Sequence, residues 1–249
     1  MIVRLILTLA AFISKSPLKR SEDIRYKALQ NEGMFGGDMI LPSHRMLRNG
    51  ILSEDYRWPG YPGAAFIPFI IDSSLEDEKK LILEGMEAYH KTTCVKFVPR
   101  TTEREYVKIY KGEGCFSAVG RDRESVQPQE LSLAPGCLNI GTIIHELGHT
   151  IGFYHEQNRS DRDEFLIVHM NNIPSYQRHN FRKLKMDENI LLTPFDYDSI
   201  MIYGNYAFSK NPDEAMTIEA KTGQLLYDPF KKVNLTLSDI DRVNKMYKC

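Results

Sequence analysis

One stretch concentrates groups able to hold and use a metal ion, His145-Glu-Leu-Gly-His-Thr-Ile-Gly-Phe-Tyr-His155. On a helix, side chains four residues apart share a face, so the imidazoles of His145 and His149 project toward one point. Glu146 follows one residue on, offset around the helix, and so reaches a metal-bound water without being forced to ligate. Gly152 stands where the helix must stop and turn, because glycine accepts a left-handed conformation freely. That turn brings His155 back as a third ligand. Three protein nitrogens with one open position are the donor set of a catalytic rather than a structural zinc site. One Zn2+ per chain is therefore expected. Zinc lowers the pKa of a bound water and polarises a scissile carbonyl; Glu146 accepts the water's proton and returns it to the leaving amine. The other four histidines, His44, His90, His169 and His179, lack ligand spacing and read as surface or capping residues. The sequence holds no Gly-x-Ser-x-Gly elbow and no glycine-rich phosphate loop that would argue for a different chemistry.

The elements around this cluster must position it. Leu138 to Phe153 reads as the helix that carries it. Upstream, Ala65–Ile71 is strand-like, with Pro68 marking an edge or a bulge. A helical face of Leu75, Ile82, Met86 and Tyr89 follows, with Ser73 and Ser74 as candidate N-caps. Short strands are expected at Cys94–Val98, Tyr106–Tyr110 and Leu131–Leu133, the last as a candidate edge for pairing with a substrate backbone. Beyond Ser160 the chain is loop-rich until Leu237–Tyr247, a closing helix opened by Thr236 or Ser238. Mixed sheet, helix, then loops make an α+β domain. Residues from about 15 to 48 are polar and carry little periodicity, a segment with no core of its own.

The chain has 249 residues, 42% hydrophobic and 26% charged, with a formal net charge of −1. That charge argues against nucleic acid or an anionic membrane as the main partner. Met1-Ile-Val-Arg4 gives a short basic start, and Leu5–Ile13 is apolar but for Thr8, which fits the hydrophobic region of a signal peptide and is too short to span a bilayer. Residues 1–14 are therefore expected to be removed, the boundary falling between Ala11 and Ser16, and the protein to be secreted without a membrane anchor. Export permits disulfides. The four cysteines, Cys94, Cys115, Cys137 and Cys249, allow three pairings between which spacing does not choose. Asn158-Arg-Ser and Asn234-Leu-Thr are candidate glycosylation sites.

The longer string His145 to Glu156, continuing to Arg159-Ser-Asp-Arg-Asp163, resembles the signature of the astacin family of metzincin metalloproteases. Ser199-Ile-Met201-Ile-Tyr203 is similar to that family's methionine turn. Lys96-Phe-Val-Pro-Arg-Thr-Thr102, Gly141-Thr-Ile-Ile144 and Phe208-Ser209 extend the likeness, which covers nearly all of Asn49–Cys249. The resemblance implies a zincin-type α+β catalytic domain: a twisted mixed sheet with the active-site helix in the N-terminal half, and a loop-rich C-terminal half. It implies a zinc-dependent endopeptidase acting on protein or peptide substrates; a monomer is expected. Met201 packs beneath the zinc, and Tyr203 ligates it at rest and swings away to stabilise the oxyanion. The implied disulfides are Cys94–Cys249 and Cys115–Cys137. Phe35-Gly-Gly-Asp38 matches the family's Phe-x-Gly-Asp element, in which the aspartate occupies the zinc position meant for water. Residues 15–48 then form an inhibitory pro-segment, which an activating protease removes between Arg48 and Asn49 to release a catalytic domain of residues 49–249. The new amino terminus is expected near Glu156. Two positions depart from the family pattern. Ile202 stands where a histidine is usual, and Gly223-Gln-Leu225 lacks a common arginine, so a preference for acidic residues after the scissile bond is not implied. A rival reading is a secreted zinc-binding module or toxin that has lost catalysis; Glu146, Tyr203 and the complete pro-segment weigh against it.

Overall fold

The computed structural model describes residue 19 and residues 23–41, 53–123 and 128–249. The expected signal segment 1–14 and the expected cleavage point Arg48–Asn49 lie outside the described residues. In chain order the elements are α1 (Ile24–Ala28), β1 (Met39–Ile40), β2 (Ala65–Ile71), α2 (Lys79–Thr92), β3 (Val95–Pro99), β4 (Val107–Tyr110), β5 (Cys115–Ala118), β6 (Gln129–Leu133), α3 (Ile140–Ile151), β7 (Leu166–Val168), β8 (Ile218–Ala220) and α4 (Leu237–Tyr247). Six strands form one mixed sheet in the order β1-β5-β6-β4-β2-β3. Its pairings are parallel except β5 with β6. β7 and β8 make a separate antiparallel ribbon in the lower, loop-rich half. This is the expected α+β arrangement. Among the described residues no helix is long and apolar enough to cross a membrane.

The expectation that Leu131–Leu133 is a sheet edge is corrected. β6 lies between β5 and β4, and the strand at its far side, β5, is the one that sequence reading passed over. Cys115-Phe-Ser-Ala118 is buried at every position, so it carries no alternation to betray it. β5 in turn pairs with β1, placing Met39 opposite Ser117. Pro68 does sit at a locally unpaired edge: β2 bonds β3 along Ala65–Phe69 but meets β4 only from Phe69 onward. The turn Ser73–Leu75 is capped by Asp72 rather than by serine, and α2 starts later, at Lys79.

Residues 23–41 have no separate core, and they join the main one. Tyr26, Leu29 and Met39 are buried in the same apolar cluster as Trp58, Tyr89, Leu147 and Tyr247. α1 lies against the turn Pro135–Cys137. A Cβ added to Gly136 would come 2.6 Å from the Ile24 carbonyl oxygen and 2.8 Å from the Ala28 methyl, so only glycine admits this helix. The Asn31 amide donates to the carbonyl of Cys115 on β5 at 2.8 Å.

α3 is buried at every residue after Ile140. A helix without a wet face cannot be oriented by amphipathicity, and it is held instead by side chains that donate to its carbonyls. Trp58 Nε1 reaches Thr150 O at 2.8 Å, Tyr89 Oη reaches Ile144 O at 2.9 Å, and Tyr247 Oη reaches Ile151 O at 2.8 Å. Asn139 caps its start through the Thr142 amide. Two disulfides, Cys94–Cys249 and Cys115–Cys137, tie α4's end to β3 and β5 to the turn before α3.

Candidate metal centre

α3 sets His145 and His149 one turn apart, and Gly152, at φ +129°, ends the helix with its N–H shared between Gly148 O and His149 O. The reversal carries His155 back to face them. All three rings are fully buried. His145 Nδ1 lies 2.8 Å from Ile200 O and His149 Nδ1 lies 2.7 Å from Phe153 O. A carbonyl only accepts, so both Nδ1 atoms carry the proton and both Nε2 atoms present lone pairs. Those lone pairs converge: His149 Nε2 and His155 Nε2 stand 3.1 and 3.2 Å from His145 Nε2. Acceptors this close repel unless a cation lies between them, and that is the test the site passes as a metal centre.

Asp38 completes the cluster from a distant part of the chain. Its backbone carbonyl accepts from Ser117 N on β5 at 2.9 Å, and its carboxylate lies among the rings, 3.0 Å from His145 Nε2 and 3.1 Å from His155 Nε2. The four ligand atoms fall within 4.8 Å of one another. Three imidazoles and a carboxylate oxygen suit zinc in both donor type and number. Tyr203 Oη donates to the same carboxylate, and its ring centroid lies 4.4 Å from that of His155. Burial pushes His145 down to about 4 against the pull of Asp38, which keeps the ring neutral as a ligand requires. Burial also lowers His155, while Asp38 and the Asn158 amide draw it back up.

Glu146 is buried one position from the first histidine, with neither carboxylate oxygen bonded to the protein. Burial, followed by the charge of Asp38, lifts its carboxyl well above the usual range. A carboxylate left without partners beside a cluster of ligand atoms is a seat for something other than protein.

Beneath the rings, Met201 packs so tightly on α3 that a Cβ on Gly148 would lie 2.6 Å from its sulfur. The turn around Met201 is held group by group. Asp239 takes Ser199 Oγ and Ile200 N, Glu156 N donates to Met201 O, and Lys232 Nζ donates to the carbonyls of Ser199 and Ile202 at 2.7 and 2.9 Å. Ile202 is fully buried and is one of the residues that fill the core. Leu225 is exposed. Glu156 is buried in a ring of cations: Oε1 accepts from Arg159 at 2.9 Å and Arg242 at 3.0 Å, and Oε2 faces Arg242 Nη1 at 2.8 Å. Arg159 belongs to the signature string, but Lys232 and Arg242 carry no sequence signal, since a lone cation reads as surface.

The two candidate glycosylation sites part company. Asn234 is exposed. Asn158 is fully buried, and its amide nitrogen donates to Asn180 O at 3.0 Å and Arg182 O at 2.8 Å. A glycan on that nitrogen does not fit the folded chain, so the expectation for Asn158 is corrected.

A buried three-histidine centre with a glutamate one residue after the first ligand, on a helix beneath a mixed sheet, defines a zinc metallopeptidase. Residues 52–248 match the family model described as Astacin, a peptidase family. The chain belongs to the astacin family and is a zinc metalloendopeptidase. It is 43% identical over 216 residues to "Astacin-like metalloprotease toxin 1" of Loxosceles intermedia, covering 86% of this chain and 80% of that protein. It is 37% identical over 248 residues to "Low choriolytic enzyme" of Oryzias latipes, covering 95% of this chain and 87% of that one. Among solved structures, the hatching enzyme zinc-protease "High choriolytic enzyme 1" of Oryzias latipes superposes with a TM-score of 0.71 at 36% identity, over 79% of this chain and 96% of that one.

Proposed function

We propose that the chain is the latent precursor of a secreted endopeptidase, with residues 1–14 a signal segment, residues 15–48 an inhibitory pro-segment and residues 49–249 the catalytic domain. The observation that carries this reading is the Asp38 carboxylate among His145, His149 and His155, delivered by a segment whose backbone occupies the edge of the sheet. His145, His149 and His155 hold the zinc, Asp38 fills the position that a reacting water needs, and β1 covers the strand that an extended substrate would pair with. Cleavage between Arg48 and Asn49 by an activating protease frees both. The relatives include proteins described as toxins and as a choriolytic enzyme, which supports an extracellular setting. The protein acts as a monomer.

When bound, zinc lowers the pKa of a water toward neutrality and polarises the scissile carbonyl. Glu146 does the proton work. Buried beside the ligands and with neither oxygen tied to the protein, its carboxylate is free to take the proton of the attacking water and deliver it to the leaving amine. Tyr203, released from Asp38, turns its hydroxyl to the oxyanion. A cavity of about 40 Å³ lies beside Glu156, walled by Phe153, Tyr154, Arg159 and Arg242. Space beside that carboxylate supports the reading that the new amino terminus comes to lie near Glu156.

The test is to cleave the purified full chain after Arg48 with a trypsin-like protease and follow casein hydrolysis. Activity is expected to appear on cleavage, to vanish with a chelator and to return with zinc. Glu146→Gln is expected to lose about 10²–10⁴-fold in kcat while still binding zinc. Chelator-insensitive hydrolysis, or a Glu146→Gln enzyme as active as its parent, sinks the mechanism.

A further inference from the structure

His145 and His149 each spend their Nδ1 proton on a backbone carbonyl, and His155 does not. Its Nδ1 is buried and has no hydrogen-bond partner. A metal-binding histidine ordinarily donates that second N–H to an acceptor, which fixes both the ring plane and the tautomer. One complementary orphan is close in the chain. Asn158 Oδ1 is also buried and also without a partner. The two residues bracket one tight turn, Glu156–Asn158, with His155 as its N-cap and Asn158 N donating to His155 O at 3.1 Å. In a turn of this kind, side chains three residues apart eclipse one another. The amide cannot be reversed, because its nitrogen donates to the carbonyls of Asn180 and Arg182, and those oxygens accept only from the NH2 end. The oxygen is therefore turned away from them.

We propose that Asn158 is the positioning residue for the third ligand: its Oδ1 accepts the Nδ1 proton of His155 and so aims Nε2 at the metal. This rests on the reading of His155 as a zinc ligand. It also gives the buried sequon a meaning. A sugar on Asn158 would consume the nitrogen that orients the amide, so the residue serves the metal centre and carries no glycan.

The experiment uses the zinc-loaded full chain and compares the parent with Asn158→Ala and Asn158→Asp. Zinc affinity is read by competition with a chromophoric chelator. The His155 Nδ1 proton is read by NMR with 15N-labelled histidine. Asn158→Ala is expected to weaken zinc about 10–100-fold and to lose the slowly exchanging Nδ1 proton. Asn158→Asp discards the two amide donors but keeps an acceptor, so it is expected to hold zinc within a few-fold of the parent. If Asp weakens zinc as much as Ala, the amide matters for its ties to Asn180 and Arg182 and the proposal is overturned. An alanine variant that binds zinc like the parent overturns it too. Should the aspartate variant fail to fold, the parent spectrum decides: a fast-exchanging His155 Nδ1 proton refutes the bond. Failure of the underlying ligand reading looks different, since His155→Ala would then leave the parent's zinc affinity unchanged.

Discussion

Lys232 offers a measurement that separates a buried cation from a surface one. The residue is partly exposed, but its ammonium is enclosed between the carbonyls of Ser199 and Ile202, with Asp239, Asp228, Asp196 and Asp198 around it. Burial outweighs those four carboxylates and lowers its pKa to about 8 from the ordinary 10.5. Below about pH 8 the ammonium is charged in both folded and unfolded chains. Between about 8 and 10.5 the folded protein gives up the proton that the unfolded chain keeps, so stability rises with pH across that window. The full difference corresponds to about 3.4 kcal/mol, of which about 2 kcal/mol falls between about pH 7 and about pH 9.5. These are upper figures, because the lysine's exposed part admits solvent screening. The assay must stop near pH 9.5, since Tyr89, Tyr154 and Tyr203 are held protonated by burial and lower stability as the unfolded tyrosines ionise above about 10. Denaturant midpoints of the full chain, disulfides intact, should climb across the window, while Lys232→Met should stay flat. A methionine variant that keeps the parent's climb would show that the slope comes from elsewhere and refute the reasoning.

Asp38→Ala in an uncleaved chain should raise zinc-dependent hydrolysis of a small fluorogenic peptide above the parent's. It should stay below the cleaved enzyme, because β1 still covers β5; a silent variant would deny Asp38 its blocking role. Gly148→Ala should cost about 1–3 kcal/mol through overpacking against Met201 and Tyr89, and an unchanged thermal midpoint would contradict that packing. Replacing both Cys94 and Cys249 by serine opens a loop of 155 residues and should cost up to about 5 kcal/mol, against about 3 for the Cys115–Cys137 loop of 22. Denaturant midpoints falling in the reverse order would show that loop entropy is not the controlling effect.

The metal centre was legible because its geometry is local: a four-residue spacing, a glycine and one reversal put three rings together without reference to the rest of the chain. α3 was legible from the histidine spacing and the glycine that ends it, and α4 from its N-cap at Thr236. What escaped is what depends on distant partners. β5 is buried on both faces and has no pattern to read. Residues 23–41 look coreless because Tyr26, Leu29 and Met39 are too few to fill a core, and they fill someone else's. Asn158 matched a surface tripeptide, while its burial follows from two carbonyls more than twenty residues away. Lys232 gave no signal at all, since nothing local marks a lysine whose partners are the carbonyls of Ser199 and Ile202.

The glycine under α1 has a history written into it. Gly136 has no strained backbone angle to require it, and the atoms that forbid a side chain there belong to Ile24 and Ala28. On the proposed removal of residues 15–48, these nearest atoms leave with the segment. A methyl group at this position is then expected to disturb the precursor more than the cleaved enzyme. On the proposed reading, the need for glycine at position 136 comes from the segment that keeps the precursor latent rather than from the catalytic domain.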